Sequence, residues 1–250
     1  MRLCIAALVV VFAGPCWAAD ANVTSADTLI LNGIPYRLDG VDAPKTDQVC
    51  LDEKGSVWAC GIEARNQLRT FIGNRDVQCE SKKFDLAYRN RRSGVCKVAG
   101  EISSLNQWLV RQGWAINFEP SSRNRFRSEQ EEARAERKGL WKGCFVAPHV
   151  LRDADKSRAN VLGSACPKDK NEKSQDVLLP AHPAMPQGCP IKGNFAMRAH
   201  ITGHRGIYHL EDCKSYERLK TPDRWFCSEM EAEADGFRLA FTCKPHSPRR

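Results

Sequence analysis

Beyond its first twenty residues the chain has no apolar run of roughly 20 residues, so nothing there is long enough to cross a membrane as a helix. It has no internal repeat, which argues against a solenoid or an array. None of its 12 cysteines stands in the close C-x-x-C spacing of common zinc sites. Aromatic residues make up only 8% of the chain and are missing between about 150 and 188. Lys, Asp, Asn, Ser and Pro dominate there, too little apolar surface to fold alone, so 150–188 reads as a polar linker.

What is present is a start typical of exported proteins. Arg2 precedes the apolar stretch Leu3 to Ala13, then a Gly14-Pro15 break, then Cys16-Trp17-Ala18-Ala19. A positive start, short apolar middle and small-x-small end predict a cleaved signal peptide over 1–18, hence a secreted or periplasmic protein. Ten cysteines follow it, and an even count in an exported chain favours disulfides. The formal charge of +8 suits nucleic acid, an anionic membrane or an acidic polymer, without choosing among them. At 250 residues the chain accommodates one large domain or two small ones.

Residues 22–42 read as strands: Thr28-Leu29-Ile30-Leu31, an Asn32-Gly33 hairpin turn, then Pro35-Tyr36-Arg37-Leu38. Gly40 to Pro44 leaves the sheet, because Pro44 cannot continue a ladder. Gly61 to Ile72 has a helical period and stops at Gly73-Asn74. Asp76–Glu80 and Gly94–Val98 read as neighbouring strands, with the cationic turn Tyr88-Arg89-Asn90-Arg91-Arg92 between them. Ser103–Gln112 and Ser128–Lys138 are further helices, and cysteines and aromatics return from Cys189 to Cys243. The expected architecture is α+β, with a domain at 19–149, the linker at 150–188 and a small module at 189–250.

The ordered set Ala26-Asp27-Thr28, Tyr36 to Pro44, the basic turn ending at Arg91, Trp108 to Ala115 and Ala135 to Trp141 resembles the staphylococcal nuclease (thermonuclease) family. That resemblance implies an OB-type five-stranded barrel with about three helices, a fold suited to single-stranded nucleic acid. It implies that Asp27 and Asp42, with the backbone carbonyl of Ala43, hold Ca²⁺. It also implies that Arg37 and Arg91 clamp the scissile phosphate, with Arg89 as the fallback for Arg91. Arg89 and Arg92 then belong to a patch that attracts the phosphate backbone. One position departs from the pattern. Lys45 stands where the family carries the Glu that activates water, and a cation there cannot take a proton from water. Asp47, Glu53 and Glu63 are close in sequence, but no pattern places them at the water.

Cys50 and Cys60 flank one loop, and Cys79 and Cys96 lie on strands read as neighbours, so both pairs are expected to bridge. The last six cysteines allow many pairings. We take Cys144–Cys166, Cys189–Cys227 and Cys213–Cys243. The tail also resembles an accessory module of some bacterial nuclease-like proteins, and more distantly a zinc-binding module. A Zn²⁺ site of Cys189, Cys213, Cys227 and Cys243 is the lesser expectation, since export favours disulfides. The functional expectation is a Ca²⁺-dependent nuclease acting on DNA or RNA. Its alternative is a nucleic-acid or polyanion binding protein on the same fold, with hydrolysis weakened by Lys45.

Overall fold

The structure is a computed structural model describing residues 21–84, 91–118, 123–152, 161–166, 176–197 and 203–243. The proposed signal peptide, Arg89 and the rest of the turn at 85–90 lie outside the described residues.

The first domain is built on a five-stranded sheet. Strand β1 (Ala21–Ser25) pairs with β2 (Thr28–Leu31), and β2 with β3 (Ile34–Leu38). The Asn32-Gly33 turn is the type expected, since both residues have positive φ (50° and 76°). A later hairpin, Val77–Phe84 against Arg92–Val98, completes the sheet. Its second strand runs parallel to β3, pairing Arg37 with Ser93. Between these two hairpins come β4 (Val41–Asp42), β5 (Cys50–Leu51), β6 (Val57–Trp58) and α1 (Cys60–Ile72). The hairpin strands Val77–Phe84 and Arg92–Val98 are β7 and β8, and α2 (Leu105–Arg111) follows.

The alternating strand faces and the inner faces of both helices meet in one core. Leu29, Leu38, Val41, Leu68, Val98, Leu105 and Leu109 are buried there. Ser104 caps α2, its hydroxyl accepting from the Gln107 N–H. Asn106 is fully buried because its amide completes the sheet edge: Nδ2 donates to the carbonyls of Asp39 and Gly94, and Oδ1 accepts from the Cys96 N–H. This join fixes the loop between β3 and β4, which carries the expected site residues. Strand β9 (Ile116–Asn117) pairs with β4, and α3 (Arg127–Ala135) packs on α2.

The 150–188 stretch, expected as linker, contributes structure. Val161–Leu162 (β11) pairs with Phe145–Val146 (β10), and Leu178 is buried against Val146 and Cys144. Helix α4 (Pro148–Arg152) crosses the expected boundary at 149.

The C-terminal module has its own four-stranded sheet, ordered Arg224–Phe226 (β14), Ile191–Phe195 (β12), Gly206–His209 (β13) and Phe237–Leu239 (β15). Tyr208, Phe226 and Phe237 fill its core, and α5 (Glu229–Ala234) covers one side. Five disulfides are formed: Cys50–Cys60, Cys79–Cys96, Cys144–Cys166, Cys189–Cys227 and Cys213–Cys243. The four cysteines weighed for zinc are thus two cystines within the module. Among the described residues no disulfide joins the module to the first domain.

Among the described residues no helix is long and apolar enough to cross a membrane.

Candidate phosphate site

The β1–β2 turn brings Asp27 to one end of the barrel. Its backbone carbonyl accepts from Leu38 N–H, and its Oδ1 accepts from the hydroxyls of Ser25 and Thr28 at 2.9 Å each. Asp42 arrives from β4. Arg37, on β3 one residue from Leu38, lies between them, with Nε 3.6 Å from Asp27 Oδ2 and Nη2 3.9 Å from Asp42 Oδ1. Both carboxylates are fully buried, whereas a quarter of the Arg37 side chain is exposed. Ala43 is also fully buried beside them. Asp27, Arg37 and Asp42, from the β1–β2 turn, β3 and β4, therefore meet in one cluster.

Lys45 is buried in the same place. Its ammonium donates to Asp27 Oδ1 at 3.0 Å and pairs with Asp235 Oδ1 at 3.1 Å. Arg91 is 2% exposed, 3.8 Å from the same Asp235 oxygen, and its Nη1 donates to the carbonyl of Ala234. Arg92 faces elsewhere. It bonds the Tyr36 hydroxyl at 3.2 Å and lies over the rings of Tyr36 and Phe84.

Sequence reasoning missed several participants. His149 donates its backbone N–H to Asp42 Oδ2 at 2.8 Å, and its Nδ1 is 3.0 Å from the same oxygen. Asp47 accepts Arg224 through both oxygens, at 2.6 and 2.9 Å, and also the Trp225 N–H. Arg224 then reaches Asp235 Oδ2 at 2.8 Å, and Arg205 lies 3.6 Å from that oxygen. The module's charges had no periodic signal to mark them as buried. Of the carboxylates near Lys45 in sequence, Asp47 is committed to Arg224, Glu53 pairs with Arg137, and Glu63 accepts from Gln67.

Burial alone pushes the Asp235 carboxyl up, but Lys45, Arg224, Arg205 and Arg91 together hold it well below the usual range. Arg224 is likewise pushed down by burial yet raised overall by Asp47 and Asp235. The cluster sets four carboxylates (Asp27, Asp42, Asp47, Asp235) against five cations (Arg37, Lys45, Arg91, Arg205, Arg224). Such a network is held by mutual compensation, because most of its ions have lost their water.

Glu231 is shifted in the opposite direction from Asp235. Burial raises it to about 7, against which hydrogen bonds from Thr46 and the Cys227 N–H act only in part. The docked state therefore binds a proton that the free side chain, near 4.5, has released. Stability from this group is present below about 4.5 and falls as pH rises to about 7. We expect a loss of up to about 3 kcal/mol across that window, by denaturant titration with disulfides intact. Glu231→Gln should flatten this profile; an unchanged slope in the variant would assign it to another group.

The family generally uses Ca²⁺, and whether these residues fit it can be judged from the donors. All four oxygens of Asp27 and Asp42 already face a cation or an N–H: Lys45, Arg37 twice, and His149. A divalent ion on Asp27 would sit beside an ammonium bonded to the same carboxylate, at a repulsion water cannot screen there. In this arrangement the residues do not fit Ca²⁺. Among the described residues no group of three or more His, Cys, Asp or Glu is arranged to hold a metal.

Residues 35–143 match the family model described as staphylococcal nuclease homologue. That span holds Arg37, Asp42, Ala43, Lys45 and Arg91; Asp27 and the module lie outside it. The chain is also 32% identical over 124 residues to the succinoglycan biosynthesis protein ExoI of Rhizobium meliloti (strain 1021). The matched region is 49% of this chain and 63% of that protein. With the five-stranded sheet and the flanking helices, residues 35–143 form an OB-type α+β domain similar to the staphylococcal nuclease homologues.

Proposed function

We propose that this chain is an exported protein that engages the phosphodiester backbone of nucleic acid on a nuclease fold without Ca²⁺-dependent hydrolysis. The observation that carries this reading is the Lys45 ammonium, 3.0 Å from Asp27 Oδ1, where a metal-dependent site needs a free carboxylate. The reading of the chain as a Ca²⁺-dependent nuclease requires that carboxylate to be available, and a water-activating base as well. Asp235 does not replace the missing Glu, because four cations keep its carboxyl ionised and a very weak base. The guanidinium groups remain suited to phosphate: Arg37 is partly open to solvent, and arginine binds phosphate in a planar fork.

Export rests on the N-terminal pattern and agrees with five disulfides. Single-stranded nucleic acid is favoured by the barrel, whose strands suit an unpaired chain.

The test is fluorescence anisotropy of a labelled single-stranded oligonucleotide over a salt series, with the oligonucleotide's integrity checked in millimolar Ca²⁺. The expected result is salt-sensitive binding of intact oligonucleotide. Arg37→Ala should weaken it and lower the salt slope by about 0.7, the value of one lost phosphate contact. Cleavage that EDTA abolishes would establish the nuclease reading in its place.

A further inference from the structure

The module does not merely flank the site; it puts a carboxylate into it. Asp235 immediately follows α5, and its two oxygens are shared by four cations from both domains. Oδ1 faces Lys45 at 3.1 Å and Arg91 at 3.8 Å, and Oδ2 faces Arg224 at 2.8 Å and Arg205 at 3.6 Å. An anionic group with its oxygens divided among guanidinium and ammonium groups is the geometry by which proteins hold a phosphate. Arg91 is one of the two arginines the family resemblance assigns to the phosphate, and the module occupies it twice, through Asp235 and the Ala234 carbonyl.

Three further features bear on how this contact is held. The module is stapled by its own two disulfides, and among the described residues none ties it to the first domain. What docks it is polar: Asp47 with Arg224, Thr46 with Glu231, Lys45 and Arg91 with Asp235. Three of the four cations around Asp235 line a cavity, and Arg91 stays buried. A cavity of about 670 Å³ opens onto Lys45, Arg205 and Arg224, walled on its other sides by Val57, Leu178 and Pro180.

We propose that Asp235 is a built-in stand-in for a phosphate, by which the C-terminal module closes the site until a nucleic-acid phosphodiester displaces it. This rests on the nucleic-acid reading above and adds its regulation. Docked, the module leaves Arg37 as the exposed guanidinium and keeps Arg91 covered. Displaced, it returns Lys45, Arg91 and the site's positive potential to the incoming strand.

The test compares full-length wild type, Asp235→Asn and Glu233→Gln. Glu233 is an exposed carboxylate on the same helix that accepts from the Tyr208 hydroxyl, so glutamine there removes the same charge and keeps an acceptor oxygen. With a labelled single-stranded oligonucleotide at low salt, Asp235→Asn should bind about tenfold tighter with a steeper salt slope. Glu233→Gln should stay within about twofold, as expected of a distant charge screened by salt. Equal affinities for the two variants would overturn the proposal while leaving the nucleic-acid reading intact. In parallel, hydrogen exchange of residues 229–236 is followed with inorganic pyrophosphate, against chloride at equal ionic strength. Pyrophosphate should speed exchange in wild type and leave Asp235→Asn unchanged. If no protein binds the oligonucleotide but pyrophosphate still frees α5, the nucleic-acid reading fails and the stand-in role holds for small phosphates. If pyrophosphate changes nothing in wild type, the stand-in role is overturned.

Discussion

Asp47→Ala is expected to remove about 3–5 kcal/mol of stability, the range for breaking a buried ion pair from one side. Asp47 and Arg224 are each more than nine-tenths buried, and the guanidinium meets Asp47 through two nitrogens. Alanine leaves Arg224 dry, with only Asp235 to neutralise it. It also leaves the Trp225 N–H without its acceptor, which adds the cost of an unmet buried donor. The loss should show first as separation of the module, seen as an early transition in denaturant. A double change of Asp47→Leu with Arg224→Met should recover much of it, since apolar pairs of similar size often replace buried ions without loss. A double variant as unstable as Asp47→Ala would mean that the contact contributes through something other than its buried charge.

Gly61→Ala is the second large effect, about 3 kcal/mol, at the upper end for inserting a methyl group into a packed interior. Gly61 is the second residue of α1, and its N–H donates to the Gln48 carbonyl. A Cβ there would overlap the carbonyl of Lys45 and press on Thr46 Cα, both backbone, with no flexible side chain to yield. The Cys50–Cys60 disulfide ties the far end of the same loop to the start of the helix, so neither partner moves away cheaply. The substitution must therefore shift Lys45 and loosen its contact with Asp27. Gly55 is the control. It also lies in a turn, at φ 79°, but open space surrounds it, so alanine meets only backbone strain of about 1 kcal/mol. Thermal melts of the two variants should separate clearly; equal losses would remove the loop contact as the cause.

These contacts also show which parts of the molecule can be read from residues alone. The Asn32-Gly33 turn and the Ser104-capped helix obey local rules, and the structure has both where those rules put them. Arg37 was legible because the motif order set it beside Asp27 and Asp42. Lys45 was the departure that mattered, and the structure gives it a partner on each side. Asp235, Arg224 and Glu231 were not legible, since each meets a residue some 140 to 190 positions away. A lone charge on a short helix reads as solvated, and only the docking of two domains removes its water. His149 was hidden similarly, behind a boundary drawn at the residue itself. The 150–188 stretch misled for another reason: composition averaged over many residues conceals two-residue strands such as Val161–Leu162 and one buried Leu178.

Most of this rests on Lys45 holding the cation position on Asp27. Calcium titration calorimetry on wild type and Lys45→Gln tests that most directly. Wild type should give no binding heat in the millimolar range, and the variant, with Asp27 Oδ1 released, should bind Ca²⁺. Sub-millimolar binding by the wild type, unchanged in Lys45→Gln, would contradict the account.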